Sequence, residues 1–502
     1  MMGAESFSER LRRLRREQAK GSPALPYEVP ELSGLTPENR NECEAHNREA
    51  KPPPSGMPVW LRHKLKGIGE VGTSERARQV SDGVNGLPPA RPDLPLCTGI
   101  PAGIEEFTGD RGVFAARIVR RPKSDLHGDW PLEWAEDIRG ESIAPLVRDA
   151  DLGDFDGARA VYLDIETTGL GGGVGTWPFM VALGRFDGDD FELWQGFLRD
   201  PGEEAALLAE VSRRIGNAAA LVSFFGKSFD RHRLEDKMRL HRIEPPFDGL
   251  PHLDLYHPLN RLYCRRGGWD QFSPGRGPGE AVPLNGQGYA NGKLSTMERE
   301  LCGLKRADDL SGAFAPEAWF DYLGSRPHLL EHVFRHNADD VWSLATLTAH
   351  LGRAALGTRP DGAALEGPLL AKLIGLAKLA RDRSDRNEEA RLLVEVERQL
   401  GGASLPRKLA LWFADAHRLA GSDSFELYEQ LVSSDEDFLT ARIEVELAKL
   451  LEHKRHDLNA ALEACERARA VAVRHGPRAG TRFSKELDAR AARLSRKLRS
   501  VP

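Results

Sequence analysis

The feature that most limits how this chain can fold is the run Val161 to Leu170, VYLDIETTGL, which places two acids inside an apolar, β-prone stretch. Alternate side chains of a strand point to opposite faces, so Asp164 and Glu166 share one face. Two like charges on a largely buried strand repel each other and lose hydration, so they persist only when protonated, paired or neutralised by a bound cation. Oxygen ligands favour a hard cation such as Mg²⁺ or Mn²⁺.

Length and composition set the broad class of the protein. With 502 residues the chain is long enough for about three domains. A formal net charge of -6 argues against a uniformly basic nucleic-acid coat but leaves room for a local basic groove. The five cysteines are scattered without a CxxC pair, which favours a reduced compartment. The N-terminus has no apolar signal-peptide core, and no apolar run approaches the ~18 residues that span a membrane, so we expect a soluble cytoplasmic protein without a membrane partner.

The N-terminal region, residues 1–102, is rich in Pro, Gly and charge, and we predict that most of it is disordered. The exception is the stretch Ser6 to Lys20, in which Phe7, Leu11 and Leu14 fall on one helical stripe among basic residues. Such a short basic helix could contact nucleic acid or a partner. A solvated terminal helix that does neither fits the sequence equally well.

The pattern that follows the acidic strand is that of an α/β domain. Two β-prone runs, Phe179 to Phe186 and Phe191 to Leu198, are separated by a hairpin signal, Asp187-Gly-Asp-Asp190. A helical run, Glu203 to Ile215, then leads to a short apolar strand, Ala218 to Phe225. This crossover predicts a mixed sheet flanked by helices.

Two further acids lie where such a sheet gathers functional groups. Asp230 ends the turn Gly226-Lys-Ser-Phe-Asp230 after an apolar strand, at the carboxyl end of the sheet, although a helix cap is the simpler interpretation of this Asp taken alone. Asp340 lies on a long predicted helix, Glu331 to Leu351, and His336 lies four residues before it on the same helical face.

Taken together, these acids predict a metal site. Four carboxylates can hold two divalent cations roughly 4 Å apart, one activating a water and the other stabilising the leaving oxygen of an in-line phosphodiester displacement. His336 is placed to orient or deprotonate that water. A surface acid or a cap explains each residue alone, but the set in this order favours a functional metal site. The set is Asp164, Glu166, Asp230 and Asp340.

The C-terminal part, residues 364–502, has a composition of Ala, Leu, Glu and Arg with paired helical patterns. Leu379, Trp412 and Val445 recur at 33-residue spacing. Ala461, Cys465 and Ala468 show the small, larger, small pattern of a tetratricopeptide second helix. The sequence predicts a small helical-repeat domain that holds a protein partner or shields a neighbouring domain. An irregular helical bundle is the alternative.

The motifs DIETTG and GKSFD, followed by a late helical DV pair, resemble those of the DEDD (DnaQ-like) 3′-5′ exonucleases of ribonuclease H-like fold. The resemblance is greatest to the YprB-like branch, in which tetratricopeptide repeats follow the nuclease domain. It covers residues 103–351 and, more loosely, the helical tail. It implies a mixed five-stranded sheet flanked by helices, with a separate all-α domain of helical repeats. The expected domains are 1–102, 103–356 and 364–502.

The family's ligand positions are all filled in this chain. Its first motif supplies an Asp and a Glu, which are matched by Asp164 and Glu166. Its second motif supplies the Asp of a GKSFD-type turn, matched by Asp230, and its third the Asp of a DV pair, matched by Asp340. The segment HLDLYHPLNRLY is also similar to the branch and includes Asp254, to which the sequence assigns no role.

Two residues depart from the family pattern. Phe225 precedes Gly226 where relatives usually have Asn. In the third motif relatives carry Tyr four residues before the Asp or His five residues before it, whereas this chain has His336 four residues before Asp340.

The leading functional hypothesis is a metal-dependent exonuclease that removes nucleotides from the 3′ end of single-stranded DNA or RNA, using two Mg²⁺ or Mn²⁺ ions. The competing hypothesis, motivated by the two departures, is a weak or inactive nuclease-like adaptor that binds nucleic acid and a protein partner. The candidate substrate-binding residues are Thr167, Thr168, Gly169, Lys227, Ser228 and Arg231.

Overall fold

A computed structural model of the chain describes residues 100–169, 175–264, 288–306, 310–400, 407–432, 438–474 and 481–499. The predicted basic helix at Ser6 to Lys20 and nearly all of the region expected to be disordered lie outside these residues.

The described strands include both the predicted hairpin and the acidic run. In chain order they are β1 Ile104–Gly109, β2 Gly112–Pro122, β3 Leu126–His127, β4 Trp130–Pro131, β5 Ala160–Thr167, β6 Pro178–Asp187, β7 Asp190–Phe197, β8 Ala220–Ser223 and β9 His252–Asp254.

Seven of these strands form one mixed sheet in the order β1-β2-β7-β6-β5-β8-β9, while β3 and β4 pair separately. The acidic strand β5 is central: it pairs antiparallel with β6 and parallel with β8. The α/β class and the mixed sheet are therefore confirmed. The sheet has seven strands rather than the expected five, because β2 pairs antiparallel with β7 and β1 pairs antiparallel with β2. These two additional strands cover the edge of β7, which would otherwise expose unpaired backbone groups.

The described helices follow the predicted order. They are α1 Gly140–Ile143, α2 Glu204–Ile215, α3 Asp230–Leu240, α4 Tyr256–Tyr263, α5 Leu294–Cys302, α6 Ala315–Leu323, α7 Leu330–Arg353, α8 Leu369–Asp382, α9 Arg386–Gln399, α10 Arg407–Leu419, α11 Phe425–Leu431, α12 Phe438–Leu450, α13 Leu458–Arg474 and α14 Thr481–Arg499. None of these described helices is long and apolar enough to cross a membrane.

The long helix α7 packs across β5 and β6 and brings its polar residues to the acidic strand. Its close approach depends on Gly184 of β6, where a Cβ would lie 2.5 Å from Cγ1 of Val341 on the helix. Because real carbon atoms do not approach so closely, any larger residue at 184 would push the helix away from the sheet.

The C-terminal helices α8 to α14 each pack against the next one along the chain. Leu379, Trp412 and Val445 lie on the alternate helices α8, α10 and α12, as their spacing requires. Helix α8 also packs against α4, and Leu379 belongs to the same buried core as the sheet. The assignment as tetratricopeptide repeats and the predicted domain boundaries stay predictions.

Replacing the buried His350 with Gln is expected to make the protein less sensitive to acid. Burial, and then the charge of Lys372, lowers the pKa of His350 to about 3, whereas an unfolded His has a pKa of about 6.5. Between these values only the unfolded chain binds the proton, so stability falls with falling pH by about 1.4 kcal/mol per pH unit for this side chain. Urea unfolding measures the free energy of unfolding at about pH 7 and at about pH 5. Between these two pH values the wild type should lose about 2 kcal/mol more of this free energy than the variant does. Equal losses in the two proteins would contradict the buried neutral histidine.

Candidate active site

The first pair of predicted ligands lies near the carboxyl end of the central strand β5. Asp164 is partly buried and Glu166 is buried. The pairing of β5 with β6 shifts register between Glu166 and Thr167, and such a bulge bends a strand and re-aims its side chains. The Nδ2 of Asn337, on α7, donates a hydrogen bond of 2.6 Å to Oδ2 of Asp164. The strand and the helix therefore share a direct polar contact at the acid.

A buried polar chain holds Asn337 in place. The Nε2 of Gln195, on β7, donates to Oδ1 of Asn337 at 2.9 Å and to the carbonyl of Phe334 at 2.8 Å. The Nε of Arg117, on β2, donates in turn to Oε1 of Gln195 at 3.1 Å. Arg117, Gln195 and Asn337 are thus positioning residues for Asp164. Sequence reasoning missed them, although a Gln inside the apolar run FELWQGF was an available signal.

Asp230, the third predicted ligand, is buried at the first position of α3. The N-cap of this helix is Phe229, so the interpretation of Asp230 as the N-cap residue is wrong. The turn before it requires glycine, because a Cβ at Gly226 would lie 2.6 Å from Oδ2 of Asp230 and 2.6 Å from Oγ of Ser223. The glycine of the GKSFD motif therefore makes room for the carboxylate.

Asp254, to which the sequence assigned no role, stabilises the turn between β8 and α3 through hydrogen bonds to its backbone. Its Oδ1 accepts hydrogen bonds from the backbone N–H groups of Phe225 at 2.8 Å and Tyr256 at 3.1 Å. Its Oδ2 accepts one from the N–H of Lys227 at 3.1 Å. Because one buried carboxylate binds both sides of Gly226, Asp254 fixes the backbone that carries Asp230.

Asp340 and His336 share one face of α7 as predicted, with Nε2 of His336 at 3.7 Å from Oδ2 of Asp340. A third residue, Arg306, joins them. Its guanidinium forms an ion pair with Asp340 and places NH1 3.3 Å from Nδ1 of His336. Arg306 was missed by sequence reasoning because it comes from the chain that follows α5, about thirty residues earlier.

The arginine is itself held from the other side by a buried polar network. Its NH2 donates to Oε2 of Glu298 at 2.7 Å, and the same oxygen accepts from Oγ of Ser343 at 2.7 Å. Nε2 of His127 lies 2.9 Å from that hydroxyl. Burial raises the pKa of Glu298 although the contact with Arg306 opposes the shift. Arg306 therefore links the buried Glu298 to the partly buried Asp340.

The electrostatics show that the predicted ligands influence one another. Burial, then the charges of Asp340 and Asp230, raises the pKa of Asp164 well above its usual range. Burial, then the charges of Asp254, Glu166 and Asp340, does the same for the pKa of Asp230. Carboxyl groups in this situation hold a negative charge at a cost unless a cation compensates it.

The four predicted ligands offer carboxylate oxygens, which are the ligand atoms that a hard cation prefers. Among the residues that the structure describes, however, no three His, Cys, Asp or Glu side chains form a group that could hold a metal ion. The acids are close enough that their charges add to the effect of burial in raising the pKa values of Asp164 and Asp230. They are not arranged as a coordination cage, however, and Arg306 forms an ion pair with Asp340.

The predicted residues Thr167, Thr168 and Gly169 directly precede residues 170–174, which lie outside the described part of the chain. Oγ1 of Thr167 donates to the carbonyl of Gly169 at 3.1 Å, and Oγ1 of Thr168 accepts from the N–H of Trp177 at 3.0 Å. The second contact ties the residue after β5 to Trp177, on the other side of that gap. Substrate binding by the three residues stays a prediction.

Lys227 and Arg231, the basic residues predicted to contact the substrate, form ion pairs with acids of the protein itself. Nζ of Lys227 pairs with Oδ2 of Asp149 at 2.7 Å, and this contact lowers the pKa of Asp149. Nε of Arg231 pairs with Oε1 of Glu235 at 2.6 Å, while Ser228 is exposed in the turn. Contact of these three residues with a substrate phosphate stays a prediction.

Replacing Gly226 with Ala is expected to weaken Mn²⁺ binding by about 10- to 100-fold, the usual loss when the support of a metal ligand is disturbed. The added methyl group would meet Oδ2 of Asp230 at 2.6 Å, so the carboxylate or the turn must move. Isothermal titration calorimetry measures the affinity. Gly153→Ala is the matched control, because a Cβ there meets nothing within 4 Å. Unchanged Mn²⁺ affinity in Gly226→Ala would show that the position of Asp230 does not matter for the metal.

Comparison with known proteins agrees with this architecture. Residues 161–352 match the model of a family described as the RNase H superfamily. A protein of Bacillus subtilis (strain 168), described as uncharacterized protein YprB, is 27% identical over 402 residues, which cover 79% of this chain and 89% of the relative. The matched residues run from the acidic strand β5 to the end of α7 and so include all four predicted ligands.

Proposed function

We propose that this chain, in which residues 161–352 form an RNase H-like domain, is a metal-dependent 3′-5′ exonuclease of single-stranded nucleic acid. One observation carries the proposal: acids from β5, the β8–α3 turn and α7 converge. Burial, and then the charges of neighbouring acids that include Asp340, raises the pKa values of Asp164 and Asp230. A fold stabilised only by packing has no need of such a cluster, since each uncompensated buried charge costs free energy. A site that binds cations and phosphodiesters does need it.

In this proposal Asp164, Glu166, Asp230 and Asp340 hold two Mg²⁺ or Mn²⁺ ions. When bound, such ions activate a water molecule and stabilise the leaving oxygen of the phosphodiester. The protein contributes the positions of the ligands. Asn337 orients Asp164 through its hydrogen bond of 2.6 Å.

His336 serves in this proposal to orient the attacking water. A guanidinium has only donors and stays protonated, so Nδ1 of His336, 3.3 Å from NH1 of Arg306, is the acceptor of that contact. In the neutral ring the proton then lies on Nε2, the nitrogen that faces Asp340. A nitrogen that already carries a proton can donate to the water's oxygen but cannot remove its proton, which favours orientation over general-base catalysis.

The test is a cleavage assay of the purified chain with Mn²⁺ on single strands of DNA and of RNA labelled at one end. A 3′-5′ exonuclease shortens a 5′-labelled strand to a ladder and releases a 3′ label directly as a mononucleotide. Circular single strands should resist, and EDTA should stop the reaction. Cleavage of the circles, or cleavage that persists in EDTA, would contradict the proposal.

The contact between Arg306 and Asp340 favours a second candidate, a nuclease-like adaptor without efficient catalysis. In that role the guanidinium of Arg306 permanently takes the place of a metal ion beside Asp340. The protein would then bind nucleic acid together with a protein partner that its C-terminal helices hold. Calorimetry separates the two candidates. Absence of Mn²⁺ binding by the wild type favours the adaptor, whereas binding that is lost in Asp340→Ala favours the enzyme.

A further inference from the structure

We propose that the exposed ring of Phe225, supported by Tyr256 and His257, is a platform on which an unpaired base of a single-stranded nucleic acid stacks beside the acidic cluster. This inference rests on the proposed function, because it identifies how that site selects a single strand.

The backbone at Phe225 has a conformation that a bulky residue rarely adopts. Its φ is +62°, in the left-handed region, and its backbone N–H is held by Oδ1 of Asp254 at 2.8 Å. Asn is the residue that tolerates this region best after Gly, whereas an aromatic residue there is an outlier. Strained residues of this kind cluster at functional sites. Phe225 is also 46% exposed, so core packing does not account for an aromatic side chain at this position.

The ring is supported from one side by two other aromatic residues. The ring of Tyr256 stands edge-on to that of Phe225, with centroids 4.9 Å apart and an interplanar angle of 76°. His257 packs against Tyr256 at 5.3 Å and lies 6.4 Å from Phe225. Edge-to-face contacts of this kind hold an aromatic ring in one orientation. An exposed ring in a fixed orientation is suited to stacking on a base, and every base offers the same flat face.

The platform adjoins a cavity of about 210 Å³, because its residue His257 lines that cavity. The residue that follows Phe225, Gly226, is packed against the carboxylate of Asp230, and the next one, Lys227, lines the cavity. The remaining charged or ionisable side chains that line the cavity are Arg148, Asp149, His252, Asp254 and Arg261.

The charges of this cavity favour a phosphodiester chain as the occupant. The two carboxylates in it are already engaged, since Asp149 pairs with Nζ of Lys227 and Asp254 accepts hydrogen bonds from the turn. The cationic groups have partners too: Lys227 pairs with Asp149, Arg148 pairs with Asp382, and NH1 of Arg261 donates to the carbonyl of Leu146 at 2.8 Å. Because a guanidinium has five N–H donors, the two arginines can also meet the phosphate next to a stacked base while they keep these contacts. Aromatic rings interleaved with basic side chains are the usual means of binding single strands without sequence preference. A duplex would not be held in this way, because its bases are already stacked and paired.

The test uses Phe225→Asn, which removes the ring but suits the left-handed backbone, so the variant should fold at least as stably as the wild type. Fluorescence anisotropy in EDTA measures binding without cleavage. The probes are labelled strands of about 12 nucleotides: oligo-dT, oligo-rU and an abasic strand of the same length. The matched control is Ser384→Asn, which introduces Asn at the same φ of +62° between α8 and α9.

The wild type and Ser384→Asn are expected to bind oligo-dT or oligo-rU about tenfold more tightly than the abasic strand. Phe225→Asn should bind all three strands with nearly equal affinity. A base preference that survives in Phe225→Asn would overturn the inference, as would a wild type that lacks the preference or binds none of the strands. The cleavage assay reports separately on the proposed function. A protein that prefers strands with bases but never cleaves them would support the stacking platform and contradict the exonuclease activity.

Discussion

Asp164→Asn is expected to lower divalent-dependent cleavage by at least about 100-fold, the scale on which removal of one electrostatic group slows an enzyme. The substitution removes the charge of the acid that lies on the central strand. It keeps the shape of the side chain and an oxygen that can accept the hydrogen bond from Nδ2 of Asn337. Initial rates on a 5′-labelled single strand, compared at saturating Mn²⁺, measure the effect.

A companion measurement separates lost chemistry from lost folding. In EDTA the variant should unfold at the same temperature as the wild type or a higher one, because Asn does not repel Asp340 or Asp230, the acids that raise the pKa of Asp164. Mn²⁺ should raise the unfolding temperature of the wild type and much less that of the variant. Asp187→Asn, which changes an exposed acid at the end of β6, is the matched control and should cleave normally. Full activity in Asp164→Asn would exclude the proposed site.

Arg306→Gln is expected to lower the free energy of unfolding by about 3–5 kcal/mol in the absence of metal, as is typical when one partner of a buried ion pair is removed. The Arg306 side chain is 7% exposed and forms ion pairs with both Glu298 and Asp340. Without it the buried Glu298 must take up a proton or remain charged without a cationic partner, and the partly buried Asp340 keeps only the nearby His336 among its described partners. Urea unfolding in EDTA measures the loss.

The control for this prediction is Arg299→Gln, on the neighbouring helix α5. Arg299 pairs with Glu300 on the surface, where an ion pair contributes roughly 0–1 kcal/mol. If divalent cations replace Arg306 at Asp340, Mn²⁺ should restore more stability to Arg306→Gln than it adds to the wild type. A loss in Arg306→Gln no larger than in Arg299→Gln would show that the buried network does not depend on the arginine.

The parts of the site that the sequence predicted are those governed by local geometry. Strand alternation places Asp164 and Glu166 on one face, and the helical repeat places His336 beside Asp340. The GKSFD turn locates Asp230 because a strand and a helix flank it. Each of these inferences needs only a few consecutive residues, and the structure brings the residues into electrostatic contact.

The parts that sequence reasoning missed depend on contacts between distant segments. Arg306 reaches Asp340 only because α5 and α7 pack together. Gln195 reaches Asn337 across 142 positions of the chain, and no local pattern indicates which strand will face the helix. Asp254 is likewise a plain acid in the sequence, and its role becomes visible only where β9 lies beside β8 and meets the turn. The pairing of β1 and β2 with this sheet was missed for the same reason, although Val113 to Val119 of β2 was predicted as a β-like run, since edge pairing is decided by the whole sheet.

The helix α8 joins the C-terminal helices to the segment that lines the cavity beside Phe225. Asp382 on this helix forms an ion pair with Arg148, and NH1 of Arg383 donates to the carbonyl of Pro145 at 2.6 Å. A truncation at the predicted boundary, between 356 and 364, would therefore strip away both contacts and uncover the core around Leu379. Biochemical dissection of this chain calls for a shortened form that retains α8, so that a defect in nucleic-acid binding can be traced to the missing helices α9 to α14 and not to the loss of contacts at the cavity wall.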